Sequence, residues 1–403
     1  EVPDFKSFLL PCPPARLTWI CGMADDKLRR QRLWKSMLQR GLQKFMQQRP
    51  GDFMRRARKG VPPEYRAEVW KTALNAEAHA KPGLYKDLQT ADNEFLHLIE
   101  IDIPRTFPED PSFGAEQQKS LFRILKAYAN LCPDVGYCQG MNFIVGLLLL
   151  VVQGGIFGQE LPPEAEEETF WMFFSLMECS HLNGFYRRQF PLLKRYLWAF
   201  EEMISSTLPD LQQHFCKENL QHTVYLHQWF LTLFINSLPI PMVLVFWDAI
   251  ICGGLQEILP ISLSVLQLLQ STLLTMKFEE IVGFFKTMRS REQEDCDFES
   301  IGRIAVLGSD SIRIPDQILE VLHRPLPLRT DDMMERTPQS PPRRRLDSDE
   351  DFALSMISDC STGATSSEGS AWDYFRQIRI NPGVRSWWED AKLGLGLGAE
   401  TSW

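Results

Sequence analysis

The sequence predicts an all-α protein, on three observations. Apolar residues recur at helical spacing, most cleanly as Leu121, Leu125, Tyr128 and Leu131 on one stripe of Glu116–Leu131. Prolines and turn residues punctuate these segments where helices start and stop, as at Pro62-Pro63 and Pro133-Asp134-Val135-Gly136. The period-two alternation of strands is nearly absent.

The elements follow in order. Residues 1–26 carry Pro3, Pro11, Pro13 and Pro14 without a clean period and read as an irregular lead-in. Asp25 stands at an N-cap position, and Lys27 to Gln48 follows as one helix through Leu28, Leu33, Met37, Leu42, Phe45 and Met46, ended by Pro50-Gly51. The next helix opens at Pro62-Pro63, where the missing N–H groups cost nothing and Glu64 meets the positive helix end. Arg66 and Trp70 lie four apart on one face of it, so the guanidinium can stack on the indole. Pro104 pushes Ile103 toward extended geometry, which puts Arg105 at an element boundary. After the helix at 116–131 and its turn, an apolar helix begins near Gln139. Further helices are expected at Glu164–Cys179, Pro191–Leu208, Thr223–Ser237, Pro241–Cys252 and Ile261–Leu274.

These elements divide the chain into an extension with one helix at 1–53 and a helical domain at 54–323. Beyond it, 324–371 is rich in Pro, Ser and charge, a composition that buries too little to offset its ordering entropy and so reads as disordered. The segment 372–403 brings aromatics back with Trp372, Tyr374, Phe375, Trp387 and Trp388, and either docks on the domain or serves as a short partner motif.

Composition excludes several classes. A formal charge of −9 argues against a nucleic-acid partner, since phosphate selects basic faces. The basic runs at Lys27–Arg32 and Arg55–Lys59 read as solvated helix faces. Nine cysteines without a CxxC pair give no zinc-knuckle or redox signature and suit a reducing compartment. The most apolar run, Phe143 to Val152, is ten residues long, whereas a membrane span needs about 20. No secretory order opens the chain, although it does not begin with Met, which leaves room for a preceding piece. A cytoplasmic, soluble protein is expected; oligomeric state is open.

Taken singly, Arg105, Gln139 and Asp102 are an ordinary surface cation, a polar residue near a helix start and a cap or ion-pair partner. Together the motifs say more. Gly60-Val61-Pro62 with Arg66 and Trp70, then Ile99-x-x-Asp102-x-x-Arg105, then Tyr137-Cys138-Gln139-Gly140-Met141-Asn142 occur in that order. So do Trp229-Phe230-Leu231-Thr232-Leu233-Phe234, Ser237-Leu238-Pro239 and Phe246-Trp247-Asp248. This pattern, over about 58–275, resembles the TBC domain family of Rab GTPase-activating proteins.

The resemblance implies that Arg105 is an arginine finger, stabilising charge on the transferred γ-phosphoryl group, and that Gln139 is a second finger holding the attacking water. Arg suits the first role as a permanently charged planar fork, and Gln the second as donor and acceptor at once. The implied partner is a GTP-bound Rab that carries the GTP and Mg²⁺, so no cofactor of the chain's own is expected. The chain would act in trans and perform no independent catalysis. The resemblance also suggests a supporting role for Arg66 and Trp70, for Asp102, orienting Arg66 or Arg105, for Tyr137 and Asn142, bracing the Gln139 loop, and for Gly140 and Gly146, allowing close packing. Trp70, Trp229 and Trp247 are expected in the core. One departure stands out: Val245 occupies a position where the family commonly has Arg, which leaves Asp248 either to find another partner or to face water.

Other chemistries fare badly. No GxxxxGK[ST] loop is present, His181, His214, His222 and His227 form no metal pair, and Cys138 has no neighbouring His to activate it. The rival reading is a catalytically silent scaffold or Rab effector. Association with endomembranes is expected to be peripheral and indirect, through the Rab. In the tail, Thr337 and Ser340 precede prolines beside Arg343-Arg344-Arg345, and Ser348 lies among acids, which makes them candidate phosphorylation sites that could pair with the Arg run.

Overall fold

The computed structural model describes the backbone of residues 16–154, 162–289 and 297–326, with side chains from Leu28 onward. The tail sites Thr337, Ser340 and Ser348, the lead-in before residue 16 and the aromatic segment at 372–403 lie outside the described residues. Every element is helical: among the described residues there is no strand. No described helix is long and apolar enough to cross a membrane.

The N-terminal helices are α1 (Arg16–Gln39), α2 (Leu42–Gln48) and α3 (Pro50–Ala57). The single helix expected at 27–48 is therefore two, and the first begins earlier. It breaks at Gly41, whose φ of 88° lies outside the right-handed helix. The second ends at Gln48, just before Pro50 as expected, and Pro50 also opens the next helix, because a proline costs no hydrogen bond in a first turn.

Next come α4 (Pro63–Ala73), α5 (Ala76–His79), α6 (Leu84–Leu88) and α7 (Leu96–Asp102). The long core helices follow: α8 (Ala115–Leu131), α9 (Met141–Gln153), α10 (Pro163–Glu178) and α11 (Pro191–Thr207). Then α12 (Pro209–Lys217), α13 (Thr223–Leu231), α14 (Ile240–Gly253), α15 (Ile258–Leu273), α16 (Phe278–Thr287), α17 (Phe298–Gly308) and α18 (Asp316–His323) complete the domain. The helix expected to run to Ser237 stops at Leu231, since Leu233 and Phe234 take positive φ of 43° and 69° and turn the chain toward α14.

The core is rich in aromatic side chains. Trp70 and Trp247 are fully buried, their rings 5.4 Å apart, and Trp229 is buried as well. The α14–α17 contact is close because Gly302 has no side chain: a Cβ there would meet the Met242 carbonyl oxygen at 3.0 Å and Val245 Cβ at 3.3 Å. A buried polar knot holds α6, α8 and α10 together. Glu166, in the first turn of α10, accepts from Tyr85 (2.6 Å), Ser120 (2.7 Å) and the Arg123 fork (2.6 and 2.8 Å). Burial works against its charge, but these donors prevail and its pKa is lowered.

Candidate functional site

Arg105 sits at the end of a short 3₁₀ turn, Ile103–Arg105, that continues α7. Ile103 is not extended, as its place before Pro104 suggested, but helical at φ −55°, ψ −53°. The turn is closed behind it: Thr106 donates its N–H to the Ile103 carbonyl at 3.0 Å and its hydroxyl to the Asp102 carbonyl at 2.9 Å. These bonds outweigh the local preference of a pre-proline residue. Arg105 thus stands at an element boundary, its side chain 34% exposed, with Nη1 3.8 Å from Asp102 Oδ1.

Gln139 lies in the turn just before α9, half-buried. Gly140 caps the helix at φ 107°, a conformation only glycine adopts without strain. Two bridges join this turn to the Arg105 turn. Tyr137 donates its hydroxyl to Asp102 Oδ2 at 2.6 Å. Asn142 donates Nδ2 to Thr106 Oγ1 at 2.8 Å and accepts from the Gly140 N–H through Oδ1 at 3.0 Å. The segments carrying Arg105 and Gln139, more than thirty residues apart in sequence, are thereby one hydrogen-bonded unit. Burial raises the Asp102 pKa, while Tyr137 and Arg105 pull it back. Burial and the neighbouring Asp102 carboxylate keep the Tyr137 phenol protonated.

A third support is hydrophobic. Phe107, two residues past Arg105, is buried with φ 48°, an uncommon value for a bulky residue. Its ring packs edge-on against Phe113 and Phe143, at 5.4 and 5.9 Å between centroids. The Arg289 guanidinium sits 5.3 Å from its ring centre and donates to Asn236 Oδ1 at 2.9 Å. α9 approaches this loop closely at Gly146, where a Cβ would meet Phe107 Cε2 at 2.7 Å and Thr106 Cγ2 at 3.0 Å. Sequence reading did not find Thr106, Phe107 or Arg289. The first two follow Arg105 directly and were open to notice, but Arg289 belongs to no motif.

Arg66 and Trp70 do not join the site. Their shared face meets Asp248, not Asp102. Arg66 donates Nε and Nη2 to Asp248 at 3.0 and 3.1 Å, Trp70 Nε1 donates at 2.8 Å, and the Val61 N–H at 2.8 Å. Every one of these partners is a donor, which is the environment of a carboxylate, although full burial raises the Asp248 pKa. This arrangement answers the departure at Val245. Asp248 takes its guanidinium from α4, and the valine instead packs against Gly302 of α17.

Comparison with known proteins agrees with this architecture. The family profile RabGAP-TBC, described as the Rab-GTPase-TBC domain, matches residues 63–274, which include Arg105, Gln139 and Asp248. The chain is 32% identical over 255 residues to the Rab GTPase-activating protein eat-17 of Caenorhabditis elegans, covering 62% of this chain and 27% of that protein. It is 32% identical over 231 residues to the Ecotropic viral integration site 5 protein homolog of Homo sapiens, covering 57% and 27%. It therefore spans about a quarter of the length of these relatives. Its fold matches the crystal structure of the Chlamydomonas flagellar RabGAP TBC domain at TM-score 0.56 and 24% identity, over 71% of this chain and 96% of that one. The Ypt/Rab-GAP domain of Gyp1p matches at TM-score 0.55 and 20% identity, over 64% and 91%. With the family profile matching more than half of its residues, the chain belongs to the Rab-GTPase-TBC domain family.

Proposed function

We propose that this protein accelerates GTP hydrolysis by a Rab-family GTPase and so acts in the control of vesicle trafficking. Arg105 would enter the GTPase site and neutralise charge on the γ-phosphoryl oxygens and the leaving bridge oxygen. Gln139 would hold the attacking water in line. Catalysis of this kind is mostly positioning and electrostatics, so it needs two side chains presented together on a stiff support. The observation that carries the reading is the Tyr137–Asp102 and Asn142–Thr106 bridging of the two turns. The GTP and Mg²⁺ belong to the partner GTPase, and the chain supplies no cofactor.

The test is single-turnover hydrolysis across a panel of purified GTP-loaded Rabs, with wild type, Arg105→Lys and Gln139→Ala side by side. Acceleration of one or a few Rabs by wild type, with the Arg105→Lys protein inert, is the expected result. Binding of a Rab without faster hydrolysis would replace this reading with that of a scaffold or effector.

A further inference from the structure

Charge is sharply segregated along this chain. From Lys27 to Lys59 there are twelve Lys and Arg residues and one acid, Asp52, a local charge of +11 in a chain of −9 overall, so the other residues carry −20. The structure separates these cations by direction. Two turn inward and are used by the fold: Arg30 donates to the Lys59 carbonyl at 3.1 Å and meets Glu299 at 3.6 Å, and Arg58 engages Glu257, Asp310 and Ser309. Arg30, Trp34 and Met37 form the buried stripe of α1, and Trp34 packs edge-on against Phe53 of α3. Arg29, Arg32, Lys35, Arg40, Lys44, Arg49, Arg55 and Lys59 are all exposed. Asp52 partners Arg55 at 2.5 Å and Arg49 at 4.0 Å. Two leucines stand among the cations, Leu28 at 52% and Leu33 at 37% exposure, and with Arg29 and Arg32 they line an open recess on α1.

We propose that this outer face of α1–α3 docks on an anionic membrane surface, the cations meeting lipid headgroups and Leu28 and Leu33 entering the headgroup boundary. Charge complementarity names the class of partner, and the leucines choose within it. A nucleic-acid partner has no use for exposed leucine, and a single strand favours aromatics on which bases stack. Here Trp34 and Phe53 are buried, and Phe45 is half-buried with the Arg56 guanidinium 5.1 Å from its ring centre. An exposed face of cations with a few apolar side chains among them is drawn to anionic headgroups, and the leucines add shallow apolar insertion. The acidic balance of the remaining residues would turn this face, and not another, toward a negative surface.

The test is co-sedimentation of the full chain with phosphatidylcholine vesicles, with and without phosphatidylserine, which needs no GTPase and reads independently of hydrolysis. Pelleting with the anionic vesicles alone, reversed by salt, is expected. Arg29→Gln/Arg32→Gln/Lys35→Gln/Arg40→Gln keeps helix propensity and should weaken vesicle affinity by on the order of a thousandfold. Leu28→Ser/Leu33→Ser should weaken it while leaving the salt dependence. The control Lys81→Gln/Lys86→Gln, which neutralises exposed lysines elsewhere, should bind as wild type. Equal pelleting with neutral vesicles, no loss in the quadruple variant while circular dichroism shows it folded, or an equal loss in the control would overturn the proposal. So would binding to a duplex oligonucleotide that is tighter than to anionic vesicles at the same salt.

Discussion

Tyr137 donates its hydroxyl to Asp102 across 2.6 Å, linking the residue two before Gln139 to the residue three before Arg105. The bond spans the two turns that the proposed mechanism needs to act together. Tyr137→Phe should keep the ring in its pocket and remove only the donor. The buried Asp102 carboxylate then loses a partner, and stability should fall by about 1–3 kcal/mol in urea unfolding. Hydrolysis should slow as well, with Rab affinity little changed; a variant as active and as stable as wild type would show the bridge to be idle.

Arg105→Lys tests the proposed chemistry with the least structural disturbance. The side chain is one-third exposed, so melting should stay within about 0.5 kcal/mol of wild type. The loss of acceleration should be on the order of 10³–10⁵, because a lysine cannot reproduce the planar donor fork. A large drop in the melting temperature would contradict the outward placement of this residue.

Gly146→Ala acts on the same loop from behind. The added methyl would press on Phe107 and Thr106 and shift the turn bearing Arg105. Overpacking of this sort costs about 1–3 kcal/mol. The expected signature in kinetics is a fall in the maximal rate with substrate dependence largely kept.

The Arg66–Asp248 pair is structural, and its variants should speak only through stability. Arg66→Ala strands a fully buried carboxylate and should cost about 3–5 kcal/mol in chemical unfolding. Arg66→Lys should recover part of that cost. Val245→Arg, which installs the family's common residue, should destabilise strongly, since Asp248 already has its donors and Val245 is packed against Gly302.

Two histidines make the fold acid-sensitive. Burial lowers the pKa of both His222 and His227 to about 4, from 6.5. His222 sits between the Tyr225 hydroxyl at 2.8 Å and Gln212 Oε1 at 2.7 Å. The unfolded chain binds these protons more tightly, so the stabilisation is full above pH 6.5 and is lost as pH falls toward 4. Each histidine should account for on the order of 3 kcal/mol across that window. In His222→Gln the acid limb of stability against pH should be shallower by one proton; an unchanged slope would place the sensitivity elsewhere.

The two turns that the bridges join are legible in the sequence. Arg105, Gln139, Asp102, Tyr137 and Asn142 stand in short motifs where each residue's neighbours in sequence are also its neighbours in the turn. What misled was local inference carried too far. Pro104 did not extend Ile103, because Thr106 closes the turn from the far side. Pro50 marks the end of α2 and also the start of α3, because proline suits either side of a helix boundary. Local sequence leaves Asp102 open to Arg66 or Arg105; Arg105 is the one beside it, and Arg66 goes to Asp248, 182 residues away.

The sequence by itself determined the helical class, the places where most core helices begin, and the two turns on which the proposed chemistry rests. Those follow from periodicity, capping and proline sterics, which act over a few residues. Tertiary structure alone decided that Asp248 belongs to Arg66, that Phe107 and Arg289 hold the loop after Arg105, and that the N-terminal cations divide into an inner pair and an exposed face. Those outcomes depend on which buried charges meet and which surfaces pack, and nothing in the local chain records who arrives from the far end of it.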